Sequence, residues 1–289
     1  MKRRHTTVLL LSVGVAACGG AGGGPKVALR FHPPVGAVYH YGLEQRTQLG
    51  MESGPLAAMG KQQVLMRGEF TQTVKGPASG GGTEVEVLFQ SFTMEIPGVA
   101  PDLIARELAK MNGLRSTVVY DERGQIVRSD FTAAPGLSPD VANQMATSVR
   151  TMTFGFPEQP VGRGDSWTVT TDLPLSQLPG ANASQTGPAK TTLTVREFRI
   201  AGSDTSVVID IKTAFPSGPI QLRFSGQTGT LKLDGELRGH QQFSISRGAI
   251  LDGTIKGATK MHVTTAMFGA KGIDMTSDTE SSIVLLPEQ

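Results

Sequence analysis

From Val38 to Met51 the chain alternates with a period of two. Tyr39, Tyr41, Leu43, Thr47, Leu49 and Met51 fall in one phase, His40, Glu44, Arg46 and Gln48 in the other. That period belongs to a strand with one face buried and one face in water, and a helix cannot present it. The same pattern returns over 62–75 with Val64, Met66, Phe70 and Val74. It returns again over 83–96, where Val85, Val87 and Phe89 hold one phase and Phe92, Met94 and Ile96 the other. A change of phase inside one strand predicts a bulge. A chain with such long two-faced strands must lay them side by side in an antiparallel sheet.

Glycine is abundant, at 36 residues, and aromatics make up only 6%. This fits many twisted strands joined by glycine turns. A short strand is expected at 26–32, ended by Pro33-Pro34. Further strands are expected near 165–172, 190–200, 205–214, 220–233, 236–246, 249–256, 259–268 and 273–286, with 174–189 as the longest loop. Thr117-Val118-Val119-Tyr120, Asp121-Glu122-Arg123-Gly124 and Gln125-Ile126-Val127 read as a hairpin with a type I turn and a glycine bulge.

Two segments break the pattern. In 101–112, Ile104, Leu108 and Met111 share a helical face, and Asn112-Gly113 supplies a stop. In 138–152, Ser138 caps, Pro139 opens the first turn, and Val141, Met145, Val149 and Met152 form one stripe. The expected fold is therefore mainly β, α+β only in a minor sense: a large curved antiparallel sheet or half-barrel of about 10–12 strands with two short inserted helices.

The chain also echoes itself with a period near 125. Phe31 and Pro34-Val35-Gly36 return as Phe156 and Pro160-Val161-Gly162. Thr83-Glu84-Val85-Glu86-Val87 returns as Thr205-Ser206-Val207-Val208-Ile209, and Arg123-Gly124-Gln125-Ile126-Val127 as Arg247-Gly248-Ala249-Ile250-Leu251. An internal duplication and a coincidence among glycine-turned strands both fit these matches. The halves would be 26–155 and 156–289, forming one continuous sheet.

The first residues are of another kind. Lys2, Arg3 and Arg4 precede an apolar run from Val8 to Ala17, and Cys18, the single cysteine, ends it. Ten helical residues reach about 15 Å, half the hydrocarbon thickness of a bilayer, so this is a secretory signal rather than a span. The three cations account for the formal charge of +2, and no basic cluster follows that would hold nucleic acid. Residues 18–25 read as a glycine-rich tether.

Val15-Ala16-Ala17-Cys18 resembles the lipobox of bacterial lipoproteins. The resemblance implies cleavage between Ala17 and Cys18, removal of 1–17, and acylation of the Cys18 thiol and then of its amino group. The membrane is then a partner through the N-terminal lipid. Gly19, where an Asp would stand in retained lipoproteins, resembles the pattern of those sent to an outer membrane. The Pro-x-Gly entries, Gly164-Asp165-Ser166-Trp167 and the Met-rich end are similar to bacterial envelope lipoproteins without assigned activity. More loosely, the architecture resembles the half-barrel of lipoprotein and lipid carriers.

Chemistry is sparse. The histidines His32, His40, His240 and His262 lack clustered partners at metal-ligand spacing; His240 and His262 could meet across neighbouring strands, but with Gln, Thr and Lys rather than carboxylates as companions. No nucleophile elbow, phosphate loop or dinucleotide fingerprint is present. No catalytic residue, metal site or cofactor is assigned. The expected function is a non-catalytic binding or carrier module for an apolar ligand. Leu108, Met145, Val149, Met152 and Trp167 are its candidate lining. Core packing is the competing role for the methionines, which ordinarily pack when they recur at helical spacing. The competing function is a structural lipoprotein that docks a protein partner in the envelope.

Overall fold

The computed structural model describes residues 25–53, 57, 60–132, 155–174, 186–215, 218–224, 227–265 and 272–287. The leader, Cys18, the helix expected at 138–152 with Met145, Val149 and Met152, and residues 175–185 lie outside them.

The described chain is one open antiparallel sheet of 12 strands with a single short helix. The first run comprises β1 (Val38–Met51), β2 (Lys61–Pro77), β3 (Thr83–Glu95), α1 (Pro101–Ala109), β4 (Arg115–Tyr120) and β5 (Ile126–Phe131). The second comprises β6 (Ser166–Pro174), β7 (Thr186–Ala201), β8 (Asp204–Ala214), β9 (Ile220–Phe224), β10 (Gln227–Ser244), β11 (Ala249–Thr265) and β12 (Ile273–Leu285). The order across the sheet is β5-β4-β3-β2-β1-β12-β11-β10-β8-β7-β6, with β9 paired to β10. Each run is thus a meander, and the echoed segments hold matching places in the two. Arg123-Gly124 turns β4 into β5 as Arg247-Gly248 turns β10 into β11, with both glycines at positive φ (73° and 62°).

The phase change in β3 is a bulge. Phe70 pairs with Phe89 but Glu69 pairs with Ser91, so Gln90 is extra. One inserted residue turns the next side chains over. Val85, Val87, Phe89, Phe92 and Met94 consequently share one face. Gly68 opposite leaves room for the Phe92 ring, which a Cβ there would overlap. The 121–124 turn is as expected: Gly124 N–H donates to Asp121 O (3.0 Å), and the Asp121 carboxylate accepts from the amides of Arg123 and Gln125.

Several expectations are corrected. The breaks expected between 233 and 236 and between 256 and 259 do not occur, because β10 and β11 run straight through them. Gly235, Gly239 and Gly257 are places where the two backbones cross too closely for a Cβ; an alanine would overlap the carbonyls of Ala258, Thr254 and Glu236 respectively. The segment 220–233 is instead split into β9 and the start of β10, which pair with Phe224 opposite Gln227. Residues 26–32 form no strand, only a bridge of Val27 to Val161. The helix stops at Ala109 rather than 112, and 110–113 make turns ending on Gly113 (φ 80°). β6 and β7 also extend into the expected loop, with Leu173 opposite Gly187.

The sheet curls strongly. Tyr120 of β4 and Leu193 of β7 line the same small cavity although eight strand spacings separate them. In a flat sheet they would stand about 38 Å apart. The edges β5 and β6 do not pair; two crossing segments close the gap at one end. Val27 and Val161 exchange backbone hydrogen bonds at 2.8 and 2.9 Å, Phe31 N–H donates to Glu122 O, and Phe156 N–H donates to Arg123 O. Arg30 donates from its guanidinium to the carbonyls of Pro157 (3.1 Å) and Glu158 (2.8 Å). Between these segments and the sheet lies the main core: Leu29, Phe156, Val161, Leu193, Val195, Val207, Ile209, Ile211 and Phe243. A second cluster, Val85, Val87 and Val118, shares Phe31 with it. The molecule is therefore plugged at one end.

Candidate functional site

The site follows from which residues the strands turn inward. Tyr41, Leu43, Gln45, Thr47, Leu49 and Met51 occupy the inward positions of β1. Register then places Leu285, Ile283, Ser281, Thr279, Ser277 and Met275 of β12 beside them. On the other side of β1 stand Phe70, Gly68, Met66, Val64 and Gln62 of β2. Carried across the sheet, the rule assigns Gly253, Ile255, Gly257, Thr259, Met261 and Val263 of β11 and Leu231, Leu233, Gly235, Leu237, Gly239, Gln241 and Phe243 of β10. No Asp, Glu, Lys, Arg or His occupies an inward position in any described strand.

The charged residues fall on the outer face, where they pair. Arg67 meets Glu44 (2.9 Å), Lys61 meets Asp278 (3.4 Å), Lys256 meets Glu280 (2.7 Å) and Lys212 meets Glu236 (2.6 Å). Arg196 meets Asp210 and Arg238 meets Glu236. The Arg67 hydrogen bond, more than its charge, holds Glu44 below the usual carboxylate range. Such exposed pairs, screened by water, add little to stability. Their larger effect is to keep one side of the sheet in water while the other carries no charge.

The inward face is a trough with two unlike ends. At the plug, Tyr41, Val195, Val207 and Phe243 are buried to 2% exposure or less. Beyond it Leu43, Met66, Phe92, Met94, Leu237 and Ile283 are only half-buried, and Leu49 is 42% exposed. An aromatic row crosses this transition: Tyr41 stacks on Phe70 (5.2 Å between centroids), Phe70 reaches Phe89 (6.4 Å), and Phe89 reaches Phe92 (5.7 Å) and Phe131 (6.1 Å). At the far end Leu231 and Val263 form a small cluster with Ile220, Leu233, Met261 and Met275. Outside the trough, a shallow hollow of about 470 Å³ lies beside α1, lined by the outward Leu65 and Glu95 together with Met94, Ile96, Val99 and Ile104.

The plug contains a cavity of about 110 Å³. Its walls are mostly apolar, with Phe31, Leu193, Ile209, Ile211 and Phe243 among them, but Gln72, Gln241, Tyr41 and Tyr120 also face it. Burial pushes the Tyr120 hydroxyl up to about 12 and the Tyr41 hydroxyl higher still, so both stay neutral phenols. Among the described residues no hydrogen bond reaches either glutamine side chain.

The candidate residues fall in different places. Trp167 packs on the main core, and its indole N–H donates to Gly155 O (2.9 Å). Leu108 is half-buried on α1 one turn beyond the buried Ile104, and lines neither the plug cavity nor the hollow. Asp165 caps the turn before Trp167, accepting from Gly162 N–H (2.9 Å) and pairing with Lys26 (2.9 Å). His40 lies on the outer side beside Thr71 (3.0 Å). His240 and His262 do not meet across β10 and β11, where they face Thr254 and Lys232; contrary to expectation each stands by a carboxylate, His262 Nδ1 at 2.6 Å from Asp274 and His240 at 3.8 Å from Asp252. Among the described residues no three His, Cys, Asp or Glu side chains gather as a metal site, and no helix is long and apolar enough to cross a membrane.

Sequence reasoning missed Gln72 and Gln241. Their signal is a carboxamide standing in the buried phase, as in Phe70-x-Gln72-x-Val74 and Gln241-x-Phe243.

The fold and its trough define a class: an open, curled, single-sheet protein with an uncharged interior. Among solved structures the chain is similar to lipovitellin, described for its lipid–protein interactions, at 12% identity and a TM-score of 0.48. The likeness covers 90% of this chain, which spans about a quarter (26%) of the lipovitellin chain. It is also similar to DynF of the dynemicin biosynthesis pathway of Micromonospora chersina, at 9% identity and a TM-score of 0.24, over 96% of this chain and 93% of that one. No family model and no curated protein matches the sequence.

Proposed function

We propose that this chain is a non-catalytic, lipid-anchored carrier of the bacterial cell envelope that holds an apolar ligand along the inner face of its curled sheet. Segregation of charge carries this reading. Twelve strands place their Asp, Glu, Lys, Arg and His side chains outside or at bulges, and leave a half-buried row of Leu, Ile, Met and Phe inside. A filled core does not need its interior half-open, and a surface left to water does not need to be free of charge. Each 100 Å² of that apolar area covered by a ligand is worth about 2.5 kcal/mol. The lipobox-like leader supplies the location, the outer membrane, with Cys18 acylated and the glycine-rich segment as tether.

Native mass spectrometry of the protein purified from a bacterium, followed by solvent extraction, tests the proposal. The expected result is an added mass that extracts as an apolar molecule. A clean apo mass that no apolar compound shifts would overturn it and favour a protein partner, to be sought by crosslinking in the envelope.

A further inference from the structure

The plug cavity narrows the class of ligand, given the carrier reading above. Gln72 sits on β2 opposite Tyr39 and Val87, and Gln241 on β10 opposite Ile209 and Gly253. Four strand spacings separate β2 from β10, about 19 Å in a flat sheet. The curl nevertheless brings both side chains to one cavity of about 110 Å³, together with Tyr120. A carboxamide offers two N–H donors and a carbonyl acceptor. Both glutamines are half-buried, and no hydrogen bond to another described residue reaches either side chain, so both can serve a ligand.

We infer that the ligand carries an uncharged hydrogen-bonding group, a carboxamide, ester or hydroxyl, which seats between Gln72 and Gln241 while its apolar chain runs out along the trough. The volume fits that division. Liquid water takes about 30 Å³ per molecule, so the cavity holds a group of a few heavy atoms and not a chain. Tyr41 marks the exit, since the next inward residues of β1 and β12 are Leu43 and Ile283 of the open trough. Charge decides against an ionised head. The cavity lining includes no cation that would offset the desolvation of a carboxylate or phosphate, and no carboxylate that would hold an amine. Both tyrosines and both glutamines are neutral partners that donate as well as accept.

Competitive displacement from the full-length protein tests this. The bound probe is N-phenyl-1-naphthylamine, an uncharged apolar dye, and the competitors are hexadecanamide, 1-monopalmitoylglycerol and hexadecanoate at pH 8. The expected result is dye binding, with the two neutral compounds displacing it at least tenfold more effectively than the carboxylate. Gln72→Met and Gln241→Met keep side-chain length and should fold, as a thermal melt would confirm. Each should retain the dye and lose about threefold to tenfold of the affinity for hexadecanamide, the worth of one hydrogen bond. Dye binding with hexadecanoate equal to the amide, or with both variants unchanged, would overturn the neutral-head inference and leave the carrier reading standing. Failure of the folded protein to bind the dye or any competitor would overturn both.

Discussion

The two ends of the sheet are made from the same alternating strands, yet they differ in what covers their inner face. At the plug, residues 25–33 and 155–165 cross the opening and bury Leu29, Val207 and Phe243 almost completely. Beyond Tyr41 the same β1 and β12 offer Leu43, Leu49 and Ile283 with water still in reach. Stability thus concentrates at one end, and the other is spared from self-packing. Alternation alone makes a two-faced sheet. Non-strand segments laid across it decide which part becomes core and which stays available.

The largest expected effect separates the ends directly. Phe243→Ala, in contact with Phe156 (4.7 Å between centroids), should cost about 3–5 kcal/mol in denaturant unfolding, whereas Leu49→Ala should cost only about 0.5 kcal/mol. Similar costs at the two sites would mean that the trough is core after all. Next is the close crossing of β10 and β11. Gly239→Ala should destabilise by about 1–3 kcal/mol through overlap with the Thr254 carbonyl. Gly36→Ala should cost about 1–2 kcal/mol, from its positive φ (83°) alone, since open space surrounds it. Trp167→Phe, which keeps a ring on the core but removes the bond to Gly155, should cost about 1 kcal/mol.

The smallest effect concerns the outer face. The His262 hydrogen bond, followed by its charge and the Ser53 hydroxyl, outweighs desolvation and lowers Asp274 below the usual carboxylate range. A depressed carboxyl contributes stability above its unfolded value, near pH 4, and loses it as pH falls through the folded value. Asp274→Asn should therefore leave urea midpoints little changed at pH 3 relative to wild type, with a small deficit at pH 5. A deficit that persists unchanged to pH 3 would assign the loss to packing.

Much of this fold is legible in the sequence. The alternation of β1, the phase switch that marks the Gln90 bulge and the Asp121–Gly124 turn all rest on local chemistry, and local chemistry is what a sequence displays. Gly235 and Gly257 mislead because a glycine that ends a strand and a glycine that lets two strands cross look alike until the partner is known. His262 and Asp274 are twelve residues apart, yet only the β11–β12 register shows that they face each other. The site is less legible still. Gln72 and Gln241 are brought together by curl, a property of the whole sheet, and the inner face exists only once the strand order is fixed.

The central claim is that absence of charge on the inner face holds a ligand there. Ser281 and Ser282 adjoin in β12 on opposite faces, Ser281 inward beside Gln45 and Ser282 outward beside Glu44. Native mass spectrometry of Ser281→Asp and Ser282→Asp, each purified as the wild type is, measures ligand occupancy on both sides of one strand. The account predicts that Ser281→Asp loses the bound apolar mass and Ser282→Asp keeps it. Equal occupancy in the two variants would contradict it.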